Sequence, residues 1–539
     1  MKYQLSFYLL SFSLLLSGCG GGGGSDSPSV KPTPPVIPDT TVTLQLSTTE
    51  KQIVAHKGDA LPLVIEGTWS ATNLGSNNVY VQLSDSSGDN INTAMSLSLE
   101  GENFSINTSL NHLLSIGEYE STISLVACKD SVCESTYADS AVTLNVQIII
   151  EAVPEWQTHQ ANAAHNGYVP IWIENYEFEK LWEWQREPSS EPIGGINSPV
   201  AGNGEVYIST DVYFGDAALI ALDELTAEER WRVSFGNVPS LNPPAINSDT
   251  LFVSTSGHED TKVWAISRES GNLKFQANFS SQWGNYLAPT VYEDIVYQTG
   301  GYYGGYTYAF SIDTGAEKWN QSEGTSWGMD SAAVDTENVY VYDGNTLSLL
   351  DKIDGELKSS INDPFGNTDY NYHGSPVIGS NNNVLAFSGG AFSGRASSNA
   401  EHYDDRVISN FDIENSEYLW SSEFTYKTFF ATSNNVVYAG KNNPVALDAI
   451  DEVTGEILWS WVPPTTEDTS FHRNVVLTKN LLFVSTNAHI YAVDLNTKKE
   501  VWSYDEPGMI SISDNRILFL ATGYRESDGR LIAFDLRRK

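Results

Sequence analysis

Residues 491–502 read YAVDLNTKKEVW. The chain repeats the phrase at ALIALDELTAEERW (218–231), YAFSIDTGAEKW (308–319) and ALDAIDEVTGEILW (446–459). Each copy holds an apolar strand, an Ala-x-Asp step or a near variant, a polar turn and a tryptophan. Before the copies come inner halves, starting near Ser198, Pro243, Ala288, Ser331, Ser375, Phe430, Asn474 and Ile510. Each inner half has two apolar runs around an Asn/Asp/Gly/Ser turn, the pattern of a β-hairpin. Four short strands returning every 45 residues or so, roughly, predict propeller blades.

The two ends of the array are complementary. It opens on FEKLWEWQ (178–185), which reads as an outermost strand with no blade before it. It closes on LIAFDLRRK (531–539), a third strand with no fourth after it. Joined, they complete an eighth blade and leave no sheet edge open at the seam. The expected fold is all-β, with an eight-bladed propeller over residues 155–539.

The Ala-x-Asp-x-x-Thr-Gly-x-x-x-Trp phrase resembles the PQQ-like propeller repeat. The lead-in EWQTHQANAAHNGYVP, with Trp156, Asn162, His165 and Gly167, is similar to the Trp-x(5)-Asn-x-x-His-x-Gly opening of many such proteins, including the outer-membrane assembly family BamB. The resemblance implies that Trp231, Trp319, Trp420, Trp459 and Trp502 pack blades rather than touch a ligand. The aspartates Asp223, Asp313, Asp412, Asp494 and Asp535 are expected to cap their own turns.

Met1 and Lys2 followed by the apolar run Leu5–Leu16 are too short to span a membrane. Leu16-Ser17-Gly18-Cys19 resembles a bacterial lipobox, which implies a signal peptide over 1–18 and diacylglycerol on Cys19. The Gly/Ser/Pro-rich stretch 19–40 fits a tether. Gly rather than Asp after the cysteine implies the outer membrane, on its periplasmic or surface side; several acyl chains make such anchoring stable.

Residues 41–150 alternate apolar and polar positions in strand-length pieces, among them LPLVIEG and AVTLNVQIII. With turns at Gly58-Asp59 and Ser87-Gly88, this predicts an immunoglobulin-like β-sandwich. Tyr119 stands where a tyrosine corner would. Cys128 and Cys133 read as one disulfide across a hairpin in an exported protein; a redox or metal pair is the alternative, without CxxC spacing or a nearby His.

With 68 acidic against 29 basic residues, the net charge is −39. This argues against nucleic acid, whose binding neutralises phosphates with Lys and Arg, and against lying flat on an anionic bilayer. There is no CxxCH, HExxH, Walker loop or DxDxDG pattern. Gly324-Thr325-Ser326-Trp327-Gly328 matches GxSxG but lies between blades, where no strand-to-helix elbow can expose the serine. No catalytic residue or metal ligand is assigned. The vicinal cysteines typical of quinoprotein alcohol dehydrogenases are missing and no loop has the DxDxDG pattern, so no cofactor is assigned and neither PQQ nor calcium has support in the sequence.

What remains is the propeller's mouth, where loops joining one blade's outermost strand to the next blade's innermost strand gather. They bring Trp283, Tyr286, Trp327, Asp330, Tyr372, His373, Lys427, His472 and Arg473, with Tyr370, Tyr426 and Phe471 beside them. Aromatics mixed with cations on loops of a rigid scaffold fit a binding surface. The competing reading is that the same aromatics pack the channel. The insertion at 389–406 lies on this face as well. These features point to a lipid-anchored, non-catalytic propeller that binds a protein partner. A quinoprotein-type dehydrogenase and a carbohydrate-binding surface protein are the alternatives.

Overall fold

The computed structural model describes residues 39–187, 195–212, 214–257, 261–281, 288–300, 306–322, 331–366, 375–388, 406–522 and 529–537. Those residues form strands and no α-helix.

The N-terminal unit contains β1 (Thr41–Leu46), β2 (Glu50–His56), β3 (Pro62–Thr72), β4 (Tyr80–Asp85), β5 (Ser96–Glu100), β6 (Asn103–Ser109), β7 (Gly117–Cys128) and β8 (Val142–Glu151). They make two four-stranded sheets, ordered β1-β3-β6-β5 and β2-β8-β7-β4. All neighbours are antiparallel except β2 and β8, which run parallel. The buried positions of both sheets, including Leu44, Ile65, Ile106, Ile123 and Ile148, share one core. The alternation seen in the sequence is therefore a sheet burying one face. Tyr119 Oη donates to the carbonyl of Ser115 at 2.8 Å, and Cys128 is bonded to Cys133.

From Val200 onward the chain lays down PQQ-like propeller sheets. The first contains Val200–Gly202, Glu205–Ser209, Gly215–Asp223 and Glu229–Val238. There are eight such sheets in chain order among the described residues, this one included; the second carries one extra short strand, Ser240–Leu241. The last has three strands from the C-terminal end, Met509–Ile512, Ile517–Thr522 and Arg530–Asp535. Its outermost strand is β9 (Glu179–Gln185). The ends of the array thus pair as their sequences predicted. Ala533 sits opposite Trp182, the same Ala–Trp register as Ala221 with Trp231 and Ala492 with Trp502.

The repeated phrase has a local physical cause. At Asp451 the carboxylate accepts the backbone N–H groups of Val453 and Thr454, at 3.0 and 2.8 Å. Gly455 then takes a left-handed φ of 76° so that its N–H reaches back to the Asp451 carbonyl. Asp223, Asp412 and Asp494 hold their turns in the same way, and Asp535 accepts the Arg537 N–H. In the copy around Asp313 the equivalent residue is Ser311, whose carbonyl receives the Gly315 N–H; Asp313 lies two residues too late to do so.

Several turns also receive a tryptophan ring from the preceding sheet. Trp231 Nε1 donates to the Arg268 carbonyl at 2.7 Å, Trp319 to Lys352 at 3.1 Å and Trp420 to Glu452 at 3.0 Å. At the closing seam Trp182 donates to the Glu224 carbonyl at 2.9 Å, so this junction is built like the others. A Cβ on Gly355 would stand 2.6 Å from the Trp319 ring, which excludes a side chain there. The tryptophans are packing residues, as the repeat implied.

The two units meet around one carboxylate. Asp59, in the turn after β2, is enclosed. Its Oδ2 accepts from His56 N (3.0 Å) and Lys479 Nζ (2.9 Å), and its Oδ1 from Trp172 N (2.8 Å) and Arg516 Nη2 (2.6 Å). Burial opposes its charge, but Lys479, Arg516 and the two amides outweigh that and hold the carboxyl below its ordinary range.

Candidate functional site

The lead-in segment 156–172 fills one end of the channel and bonds to the sheets in order. Trp156 N donates to Ala201 O of the first sheet at 2.9 Å, and Ile246 N of the second to Gln157 O at 2.8 Å. Thr158 Oγ1 donates to Pro289 O beside the third at 2.6 Å. Val334 N, Ile378 N and Thr432 N of the next three sheets donate to the carbonyls of Ala163, Ala164 and Asn166 at 2.8, 2.9 and 2.9 Å. Leu477 N of the seventh reaches Gly167 O at 2.8 Å. Arg516 Nη1 of the eighth reaches Trp172 O at 2.9 Å. One chain segment thus satisfies backbone groups that would otherwise line a hole.

Its tight course explains the lead-in motif. Gln160, Ala161, His165 and Gly167 all have positive φ, and a Cβ on Gly167 would meet Ala431 Cβ at 2.7 Å. His165 is wholly buried. Its Nδ1 lies 3.1 Å from Pro376 O and its Nε2 3.2 Å from Thr290 Oγ1. A carbonyl only accepts, so Nδ1 carries the proton and Nε2 accepts the threonine hydroxyl. Burial pushes its pKa down to about 4, so the ring stays neutral. His159 packs edge-on against Phe429 and His165, and burial drives its pKa down as well. Gln160 Nε2 donates to Phe430 O while its Oε1 accepts from Asn474. At the plug's start, Glu155 accepts from Arg268 Nη2 and Nη1, at 2.9 and 3.1 Å.

The plug bonds near the inner-hairpin turns, for example at Val334 just before the 335–337 turn. The outer-to-inner connections lead onto the opposite face. Trp283, Tyr286, Trp327, Asp330, Tyr372 and His373 belong to such connections and lie outside the described residues, as do Tyr370 and Cys19. Three candidates are described, and the fold brings their segments together. Phe429 N donates to Arg473 O at 2.8 Å, which places the Lys427 segment beside His472 and Arg473. Arg473 is buried with a φ of 65°. His472 Nε2 lies 2.7 Å from Ser470 Oγ. Tyr426 and Phe471, by contrast, are core residues: Tyr426 donates to the buried Asp448 at 2.8 Å, and Phe471 packs on Trp461. Among the described residues no group of three or more His, Cys, Asp or Glu is placed to hold a metal.

Residues 177–282, 215–461 and 442–538 match the family described as outer membrane protein assembly factor BamB. The chain belongs to that family. A curated relative, the tetrathionate hydrolase of Acidithiobacillus ferrooxidans, is 22% identical over 425 residues, 66% of this chain and 81% of that protein. The serine/threonine-protein kinase AfsK of Streptomyces griseus is 29% identical over 196 residues, 34% of this chain and 22% of the kinase. Among solved structures, BamB from Moraxella catarrhalis aligns with a TM-score of 0.46 at 13% identity, covering 66% of this chain and 99% of that one.

Proposed function

We propose that this protein is a lipid-anchored, non-catalytic scaffold that binds another protein at the outer membrane, within or beside the assembly of outer-membrane proteins. In this reading Cys19 carries the lipid and the eight sheets form a closed eight-bladed ring. The N-terminal unit is an immunoglobulin-like sandwich that holds the ring away from the bilayer; its strand order and the Tyr119–Ser115 bond support that assignment. The partner is taken up on the loop face by Trp283, Tyr286, Trp327, Asp330, Tyr372, His373, Lys427, His472 and Arg473. The observation that carries the reading is the plug. It occupies the turn-side end of the channel, which leaves the loop side for a partner.

A pull-down of the lipidated protein from its own membranes tests this. Recovery of a β-barrel assembly machine, lost in the Trp283→Ala/Trp327→Ala/His373→Ala variant with the fold intact, is expected. Recovery of glycan instead would assign a carbohydrate-binding protein. Cys19→Ala is expected to leave the membrane pellet after a high-salt wash. A second reading, an enzyme on the same scaffold, has the tetrathionate hydrolase match in its favour. Turnover of tetrathionate, or dye-linked alcohol oxidation with added PQQ and Ca²⁺, would put it first.

A further inference from the structure

Beside the Asp59 latch lies a cleft of about 260 Å³ between the N-terminal unit and the propeller. Its lining includes Lys57 and His112 from one unit and Asp514, Arg516 and Arg537 from the other. In a chain where acidic residues outnumber basic ones 68 to 29, this wall carries three Lys/Arg side chains against one carboxylate. Among the described residues the exposed Lys57 ammonium and the His112 imidazole make no hydrogen bond or ion pair. Asp59 is shared by Arg516 and Lys479, so the latch leaves one positive charge uncompensated. Arg537 spends Nε and Nη2 on Asp535, at 2.8 Å each, and its charge also reaches the buried Glu224. The opposing carboxylate, Asp514, accepts the Asn203 N–H at 3.1 Å. Burial raises the pKa of its carboxyl.

We propose that this cleft binds a small tetrahedral oxyanion of the phosphate or sulfate class. Its oxygens meet Lys57 and His112 on one side and the Arg537 guanidinium on the other, while Arg516, whose Nε, Nη1 and Nη2 already donate to Lys57 O, Trp172 O and Asp59, contributes its positive charge. Cationic groups converging from two bodies suit such a ligand, because planar guanidinium donors and an ammonium match its oxygens. An anion held by both bodies binds the docked arrangement better than the separated one, so its binding strengthens the docking.

The test uses the full chain. Inorganic phosphate and sulfate are titrated calorimetrically against chloride at constant ionic strength, and vesicles of phosphatidylglycerol are run in parallel. Saturable one-to-one binding of the free anion is expected, weakened at least tenfold in Lys57→Ala and unchanged in Lys51→Ala, a lysine elsewhere on the N-terminal unit. Vesicle retention that is lost in Lys57→Ala, without free-anion binding, would assign the same site to a lipid headgroup phosphate. Lys57 is exposed, so its removal leaves the fold intact, which circular dichroism verifies. No saturable binding in either arm, or equal binding by Lys57→Ala, overturns the proposal.

Discussion

Replacing His165 with glutamine isolates what the plug owes to a neutral imidazole. The glutamine amide can still donate to Pro376 O and its oxygen can still accept from Thr290, but it cannot take up a proton. In the folded chain the His165 pKa is lowered from 6.5 to about 4. The neutral form is favoured in the native state, so the stability this supplies is fully present above pH 6.5. It is lost as pH falls from 6.5 towards 4, because the unfolded chain binds the proton first. Linkage puts the loss between pH 7 and pH 4.5 at roughly 2–3 kcal/mol. Whole-protein stability would blur the effect, since Glu224, raised to about 7 by burial, works in the opposite sense over the same range. The informative quantity is the wild-type minus His165→Gln difference in urea-unfolding free energy, followed by tryptophan fluorescence at both pH values. A difference that shrinks by about 2 kcal/mol or more on acidification supports the argument. A difference that is the same at pH 7 and pH 4.5 refutes it and places the charged ring in the folded plug.

Asp59→Ala should detach the N-terminal unit, since it strands Arg516 and Lys479 without their carboxylate, a change worth about 3–5 kcal/mol; faster proteolysis between residues 151 and 156 and a larger radius of gyration are the expected readouts. Gly167→Ala should lower the melting temperature of the propeller far more than Gly75→Ala, because both have positive φ but only the first meets a neighbour, Ala431 Cβ at 2.7 Å. Deleting 531–539 should aggregate the protein by exposing the β9 edge, whereas deleting 41–150 should leave the propeller melting as before; equal melting of the C-terminal truncation and the parent would show the seam to be misplaced.

The parts of the molecule governed by short-range rules were legible from sequence. Asp451 and Gly455 announce their turn because only such residues make it, and Trp182 and Leu531–Asp535 announce the seam because a period of four strands leaves them over. The plug was not legible as a plug. Gln160, Ala161 and His165 adopt left-handed backbone without being glycine, and their partners lie in sheets far along the chain. The motif was visible, but its geometry was not. Gly58-Asp59 read correctly as a turn, yet nothing local shows that its carboxylate faces Arg516 and Lys479. At the mouth, strand counting put Tyr426 and Phe471 beside Lys427, His472 and Arg473, but both are core: the Tyr426 hydroxyl reaches the buried Asp448 and the Phe471 ring packs on Trp461, contacts that nothing local in the sequence shows.

The order in which the plug's partners appear has a kinetic consequence. Residues 156–172 leave the ribosome, and any secretion pore, before a single strand that they bond to exists. Trp182 must then wait for Ala533, with most of the chain in between. Closing so long a loop carries an entropic cost with no reward until the final strand arrives, and contacts this distant in sequence make folding slow. Until that moment β9 stands without the sheet it completes. Partly closed rings are therefore the species most exposed to aggregation during biogenesis.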